Sequence, residues 1–168
     1  MEHPLGLMQD EILKAIDAGL NSVPIFMSAA IPDMCAALES DDGRSTAVKY
    51  QAWFEKWAAH RMSLMTAEDC YSLRCGLIHQ GRLGGLKGAV SRVVFPLPNP
   101  AFVTLANCKF NDVYVYDISR FCSDMISSSN DWWQASKDNS TVLKNAQHVL
   151  KVHPTGWGNA ISGLPVLA

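Results

Sequence analysis

The stretch TAEDCYSLRCGLIHQGR, Thr66 to Arg82, reads as one helix with a defined start and stop. Thr66 followed three residues later by Asp69 resembles a capping box, with Asp in place of the more usual Glu. Gly81 supplies a C-cap, and Gly84 with Gly85 argues against continuation. At about 100° per residue, Cys70, Tyr71, Leu73, Leu77 and Ile78 fall along one broad apolar arc. Arg74 lies in the middle of that arc. A guanidinium is not aimed at a core without an acidic partner, a ligand or a wet interface. His79 follows about 140° around the axis and roughly 7.5 Å along it. The conflict at Arg74 is the main functional clue in the chain.

Three further helices are expected before this one. From Gln9 to Leu20, the residues Ile12, Leu13, Ile16 and Leu20 recur at helical spacing, and Gly19 with Asn21 marks an end. A second helix starts at Ser22 with Pro24 in its first turn. Pro32 should bend or divide it, because the ring collides with the preceding turn. Ile25, Phe26, Ala29, Ala36, Ala37 and Leu38 are its candidate core. After the turn ESDDGRST, Ser45 or Thr46 caps a helix running to about Met62. Its expected anchors are Val48, Ala52, Trp53 or Phe54, and Trp57. Four helices with short connections resemble an antiparallel bundle.

The character changes after Arg82. RLGGLKGAV is glycine-rich but lacks the Gly-Lys-Ser/Thr ending of a phosphate-binding loop, so a turn is the better reading. Short strands are expected at Val90–Phe95, Ala101–Leu105 and Val113–Tyr116, with PLPNP a rigid connector and Asn107–Asp112 a turn. This makes a small β-strand insertion at about residues 90–116. Asp117 then caps a helix whose face is Ile118, Phe121, Cys122, Met125 and Ile126. Trp132 and Trp133 favour packing. A weaker helix covers Thr141 to Val149, and the remainder is a breaker-rich tail that docks through Trp157. No repeat or composition shift divides the chain, so residues 1–168 are expected to form a single, mainly α domain.

Composition narrows the function classes. The chain has 168 residues, 48% of them hydrophobic and 18% charged, which argues against disorder. A formal net charge of -2 gives no global basic field for nucleic acid, although Arg74, Arg82, Lys87 and Arg92 follow one another closely. The cysteines, Cys35, Cys70, Cys75, Cys108 and Cys122, are odd in number, widely spaced and without a C-x-x-C, and read as reduced packing residues. The first residues do not resemble a signal peptide, and no apolar run is long enough to span a bilayer. The expectation is a cytoplasmic protein that does not enter a membrane. The histidines show no short zinc-ligand spacing, so no metal or cofactor is expected.

Arg74-Cys75-Gly76-Leu77-Ile78-His79 has the spacing of the Arg-x4-His signature of HEPN-like proteins, and its place late in a helical bundle is similar to theirs. The resemblance covers the bundle through about Arg82. It implies a HEPN-like antiparallel helical bundle, a homodimer with the motif in its interface cleft, and a toxin–antitoxin or defence-related setting. Many active members are metal-independent ribonucleases. On that reading Arg74 and His79 are catalytic: His79 exchanges a proton with an RNA 2'-hydroxyl or leaving group, and Arg74 holds the phosphoryl oxygens. Tyr71 and Arg82 are the substrate-binding candidates, one stacking on a base and the other touching the backbone. Many family motifs place a polar residue after the Arg, where this chain has Cys75. The competing reading is a catalytically silent dimerisation, regulatory or RNA-associated module with a regulatory protein partner. There Arg74 pairs with an acid on a neighbouring helix, such as Asp33, Glu39 or Glu55, and His79 makes a structural hydrogen bond.

Overall fold

The fold is built around a helix that is largely apolar. In this computed structural model, which describes residues 2–97 and 107–168, that helix is α2, Ser22–Leu38. Pro24, Ile25, Ala29, Ile31, Pro32, Cys35, Ala36 and Leu38 are all buried, and a strip running through Val23, Met27, Ala30 and Met34 keeps solvent contact. Around it pack α1 (Gly6–Asp17), α3 (Ala47–Trp57), α4 (Ala67–Gln80), α5 (Ile118–Ser136) and α6 (Ser140–Ala146). The chain is thus a mainly α-helical bundle of six helices among the described residues.

Several expectations change in detail. α2 runs unbroken through Pro32, where a division was expected. Pro32 removes one backbone hydrogen bond, but its own burial among the packed helices keeps the segment in register. α1 ends at Asp17, short of Leu20; its buried residues are Ile12 and Ala15, whereas Leu13 within it and Leu20 beyond it are each 48% exposed. α3 ends at Trp57, not Met62, and its anchors are Tyr50, Trp53 and Phe54. Val48 points to solvent at 76% exposure, because it lies on the face of α3 opposite the buried Tyr50, Trp53 and Phe54.

The strand insertion is a small mixed sheet of order β1-β3-β2, with β1 Arg92–Val94, β2 Cys108–Phe110 and β3 Val113–Val115. β1 runs parallel to β3, placing Arg92 opposite Val113; β2 runs antiparallel, placing Phe110 opposite Val113. The expected turn at Asn107–Asp112 is mostly strand, and only Asn111 and Asp112 turn the chain. Asn111 takes φ 53, a left-handed conformation Asn tolerates better than most residues. The expected strand Ala101–Leu105 lies outside the described residues. Aromatic contacts seal the sheet to α5: Phe95 and Tyr116 both meet Phe121 edge-on, at 5.3 and 5.6 Å between ring centres. The Tyr116 hydroxyl donates to Asp124, which also pairs with Arg120 at 2.9 Å.

α5 starts at Asp117, whose side chain accepts from the Arg120 amide at 2.8 Å, and Trp132 and Trp133 are core residues as expected. The C-terminal segment is not a docked tail. It forms a hairpin of β4 (Val152–His153), β5 (Gly156–Trp157), β6 (Ile161–Ser162) and β7 (Val166–Leu167), with β4 on β7 and β5 on β6. Trp157 is 53% exposed.

Candidate functional site

The site is carried by α4, whose start is fixed by side chains and whose end is closed by the backbone. At its start the capping box is complete: Thr66 Oγ1 accepts from the Asp69 amide at 3.1 Å, and Asp69 Oδ2 accepts from the Thr66 amide at 3.0 Å. Asp69 does more than cap. Its carboxylate also accepts from the amides of Ala89 (3.1 Å) and Val90 (3.2 Å), and it is fully buried. One side chain therefore ties the glycine-rich return loop to the start of α4. The loop has to come close: a Cβ on Gly88 would lie 2.3 Å from Asp69 Oδ1. The loop is thus more than the turn expected from its composition, and Asp69 has a second role beyond the cap. The signal was there, since a short carboxylate and a run of glycines both suit close backbone approach.

At the other end Gly81 adopts φ 62, and the Arg82 amide returns to the Gly76 carbonyl at 3.1 Å. The chain presses so closely there that a Cβ on Gly76 would stand 2.9 Å from the Arg82 carbonyl oxygen. Gly76, inside the Arg-x4-His motif, is thus a packing requirement of the return.

The apolar arc of α4 is narrower than the sequence suggests. Cys70, Leu73 and Leu77 are buried, but Ile78 is 42% exposed and Tyr71 and Arg74 lie at the boundary. α4 packs on α2 and α3 along one side only, so its far side meets solvent. Arg74 Nε lies 2.5 Å from Asp33 Oδ2 on α2, with the two side chains 22% and 18% exposed. Neither atom gains an aligned hydrogen bond from the other, so the contact is a close ion pair, not a well-directed fork. Burial works against the Arg74 charge, but the Asp33 carboxylate and Cys75 outweigh it and push the guanidinium pKa up. Of the three acids considered for Arg74, Asp33 takes the role. Glu39 instead accepts from Trp132 Nε1 at 3.0 Å, and Glu55 is exposed.

Arg74 Nη1 also approaches His79 Nε2 at 3.4 Å, and Cys75 Sγ at 3.8 Å. A guanidinium only donates, so His79 Nε2 is the acceptor in this contact. His79 is exposed. Tyr71 completes the cluster. A hydrogen bond with Cys75 is the largest cause raising its pKa, and its ring meets the buried Tyr50 edge-on at 5.3 Å. Tyr50 in turn donates to the Ala29 carbonyl at 3.0 Å, linking α3 to α2 beneath the site. The structure therefore brings Tyr71, Arg74 and His79 together with Asp33. Arg82 is placed elsewhere: it exits past Gly76, and its guanidinium lies over Gly85.

No group of three His, Cys, Asp or Glu side chains among the described residues is placed to hold a metal ion. All five cysteines are unpaired, and burial raises the pKa of Cys70 to about 12 and that of Cys122 to about 11. No described helix is long and apolar enough to cross a membrane. No protein family, curated protein or solved structure matches this chain.

Proposed function

We propose that the chain is a cytoplasmic, HEPN-like self-association module whose Arg-x4-His motif serves structure and pairing instead of RNA cleavage. The observation that carries this reading is the Arg74–Asp33 ion pair at 2.5 Å. A phosphate approaching Arg74 would compete with a carboxylate already in contact and would meet its negative charge. The pair joins α4 to α2, so it fixes how the two helices sit against each other. The exposed side of α4, with Ile78 and His79, then lies near the two-fold axis of a homodimer. A regulatory protein or RNA would be read by that paired surface as a whole. Sedimentation over a wide concentration range tests the reading: a reversible dimer with no RNA cleavage supports it, and a monomer throughout sinks it.

One observation favours the second reading, a metal-independent endoribonuclease acting on single-stranded RNA. Arg74 Nη1 and His79 Nε2 are 3.4 Å apart, and the imidazole is open to solvent. In that reaction His79 Nε2 takes the proton of the RNA 2'-hydroxyl as its oxygen attacks the adjacent phosphorus. The bond to the 5'-oxygen breaks, and a second copy's His79 returns a proton to it. Arg74 would leave Asp33 for the phosphoryl oxygens, Tyr71 would stack on a base, and Arg82 would meet the backbone. The products are a 2',3'-cyclic phosphate and a 5'-hydroxyl. Product-end analysis with wild type, Arg74→Ala and His79→Ala separates the readings: such ends, lost in both variants, would establish the nuclease.

A further inference from the structure

The strand insertion differs in charge from the body that carries it. The chain has 16 acidic side chains, and residues 82–116 hold only one of them, Asp112. The same segment holds Arg82, Lys87, Arg92 and Lys109. A cationic piece on an acidic body suits a polyanion. Arg82, Lys87 and Arg92 are exposed and form no ion pair among the described residues. The lone acid is turned to Ser91, whose hydrogen bond holds the Asp112 carboxyl pKa low. Lys109 donates to the Ala89 carbonyl at 2.9 Å and so secures the glycine-rich loop to β2.

Two of the cations gather at one place. Gly84 bridges to Arg92 beside β1, and the Arg92 side chain runs back across it: a Cβ on Gly84 would lie 3.0 Å from Arg92 Nε. A Cβ on Gly85 would lie 3.5 Å from Arg82 Nη2. Two guanidinium groups therefore lie against one diglycine, with no carboxylate paired to either. Such planar forks suit phosphate oxygens.

The sheet adds a flat ring. Register places Arg92, Val113 and Phe110 in one row across β1, β3 and β2, so their side chains stand on one face. Val93 and Tyr114 face the other way and are fully buried. Phe110 is thus on the outer face, 56% exposed, two strand spacings or about 10 Å from the Arg92 backbone. An aromatic ring in water near unpaired guanidinium groups fits a ligand that brings a flat face and a phosphate together. A nucleotide brings both, whereas an acidic peptide brings charge alone. Bases within a duplex already stack on each other, so the ring takes an unpaired one.

We propose that the outer face of the β1-β3-β2 sheet, with the Gly84–Gly85 turn, binds single-stranded nucleic acid. A base stacks on Phe110, and phosphates lie on Arg92 and Arg82. The site is distinct from the Arg74–His79 surface and does not depend on how the chain pairs.

The test is fluorescence anisotropy of the full chain with a labelled oligouridylate, titrated at several salt concentrations. Saturable binding that weakens with salt is the expected result, and a duplex of the same length should bind at least about 10-fold more weakly. Phe110→Ala should weaken binding about 10-fold at an unchanged salt slope, since it removes a stack and no charge. Phe110→Trp keeps a ring and should bind like the wild type. Arg92→Gln should lower the slope of log Kd against log salt by about 0.7, one phosphate contact on a single strand. Both positions face solvent, so melting of these variants should match the wild type. The site is overturned by no binding at low salt, by equal affinity for the duplex, or by either Phe110→Ala or Arg92→Gln binding as the wild type does. Competition by polyglutamate as strong as that by unlabelled oligouridylate also overturns it, in favour of a general polyanion surface.

Discussion

Arg74 shows how much one side chain can be asked to do at the edge of a core. Removing it with Arg74→Ala leaves the Asp33 carboxylate, mostly buried, without its counter-charge. Because both partners keep some solvent contact, the expected loss is about 1–2 kcal/mol, below that of a sealed ion pair. Arg74→Lys should recover part of it, having charge without the planar donor set. A double-mutant cycle with Asp33→Asn, followed by thermal unfolding, checks the assignment: additive losses would mean the two residues do not act together. His3 offers a different residue-scale expectation. Its Nδ1 accepts from the Leu5 amide at 3.0 Å, and its Nε2 donates to the Ser129 carbonyl at 3.0 Å, so both nitrogens are used by the neutral ring. Burial beside Trp132 and Trp133 lowers its pKa below 6.5, and the Ser129 bond only partly opposes this. The unfolded chain then binds a proton more readily than the folded one. His3 therefore contributes stability that is full above about pH 6.5 and is lost as pH falls through the lowered folded value. Urea midpoints measured from neutral pH downward should fall, and His3→Asn should flatten that fall. That Arg74 calls for an acid on a neighbouring helix was legible from its position, though not which of Asp33, Glu39 and Glu55 it would be, whereas the role of His3 was not. Nothing local to MEHPL announces a contact with a carbonyl 126 residues away.

At the scale of elements, α4 owes its place to what happens just outside its ends. Asp69 satisfies donors from two segments, so Asp69→Ala removes a cap and the anchor of the return loop together. The expected cost is about 2–4 kcal/mol. Gly88→Ala should imitate the second half of that loss, because the new methyl would collide with the carboxylate. Amide exchange at Ala89 and Val90 is the discriminating measurement. Both variants should speed it, and protection unchanged in Asp69→Ala would refute the anchoring role. The start and stop of α4 were readable because capping is a local code, written in residues three or four apart. The loop was misjudged for the opposite reason: its meaning lies in a bond across 20 or 21 residues. The same distinction explains β2. Asn107 to Asp112 looks like a turn by composition, but pairing with β3 recruits Cys108–Phe110 into the sheet.

For the whole molecule the useful contrast is between the helix that draws attention and the helix that holds the fold. α4 carries the unusual residues, yet α2 is the one surrounded by five others. Its composition gave a fair warning, since a helix with so few polar residues has to be mostly covered. What could not be read was the number of partners, because α5 and α6 arrive from beyond the strand insertion. Enclosure also predicts where substitutions hurt most. Ile31→Ala, at a fully buried position on α2, should cost about 2–5 kcal/mol, while Ile78→Ala on the open side of α4 should cost under about 1 kcal/mol. Denaturant titrations of the two variants decide it, and equal losses would contradict the hierarchy.

That enclosure has a consequence for how the protein is made. A ribosome releases α2 early, but the helix that closes over it, α5, ends only at Ser136. Through most of synthesis the chain displays a sticky helix with one wall missing. Nascent chains stalled before Ile118 should therefore recruit a holding chaperone or aggregate, and release should coincide with emergence of Trp132 and Trp133 from the exit tunnel.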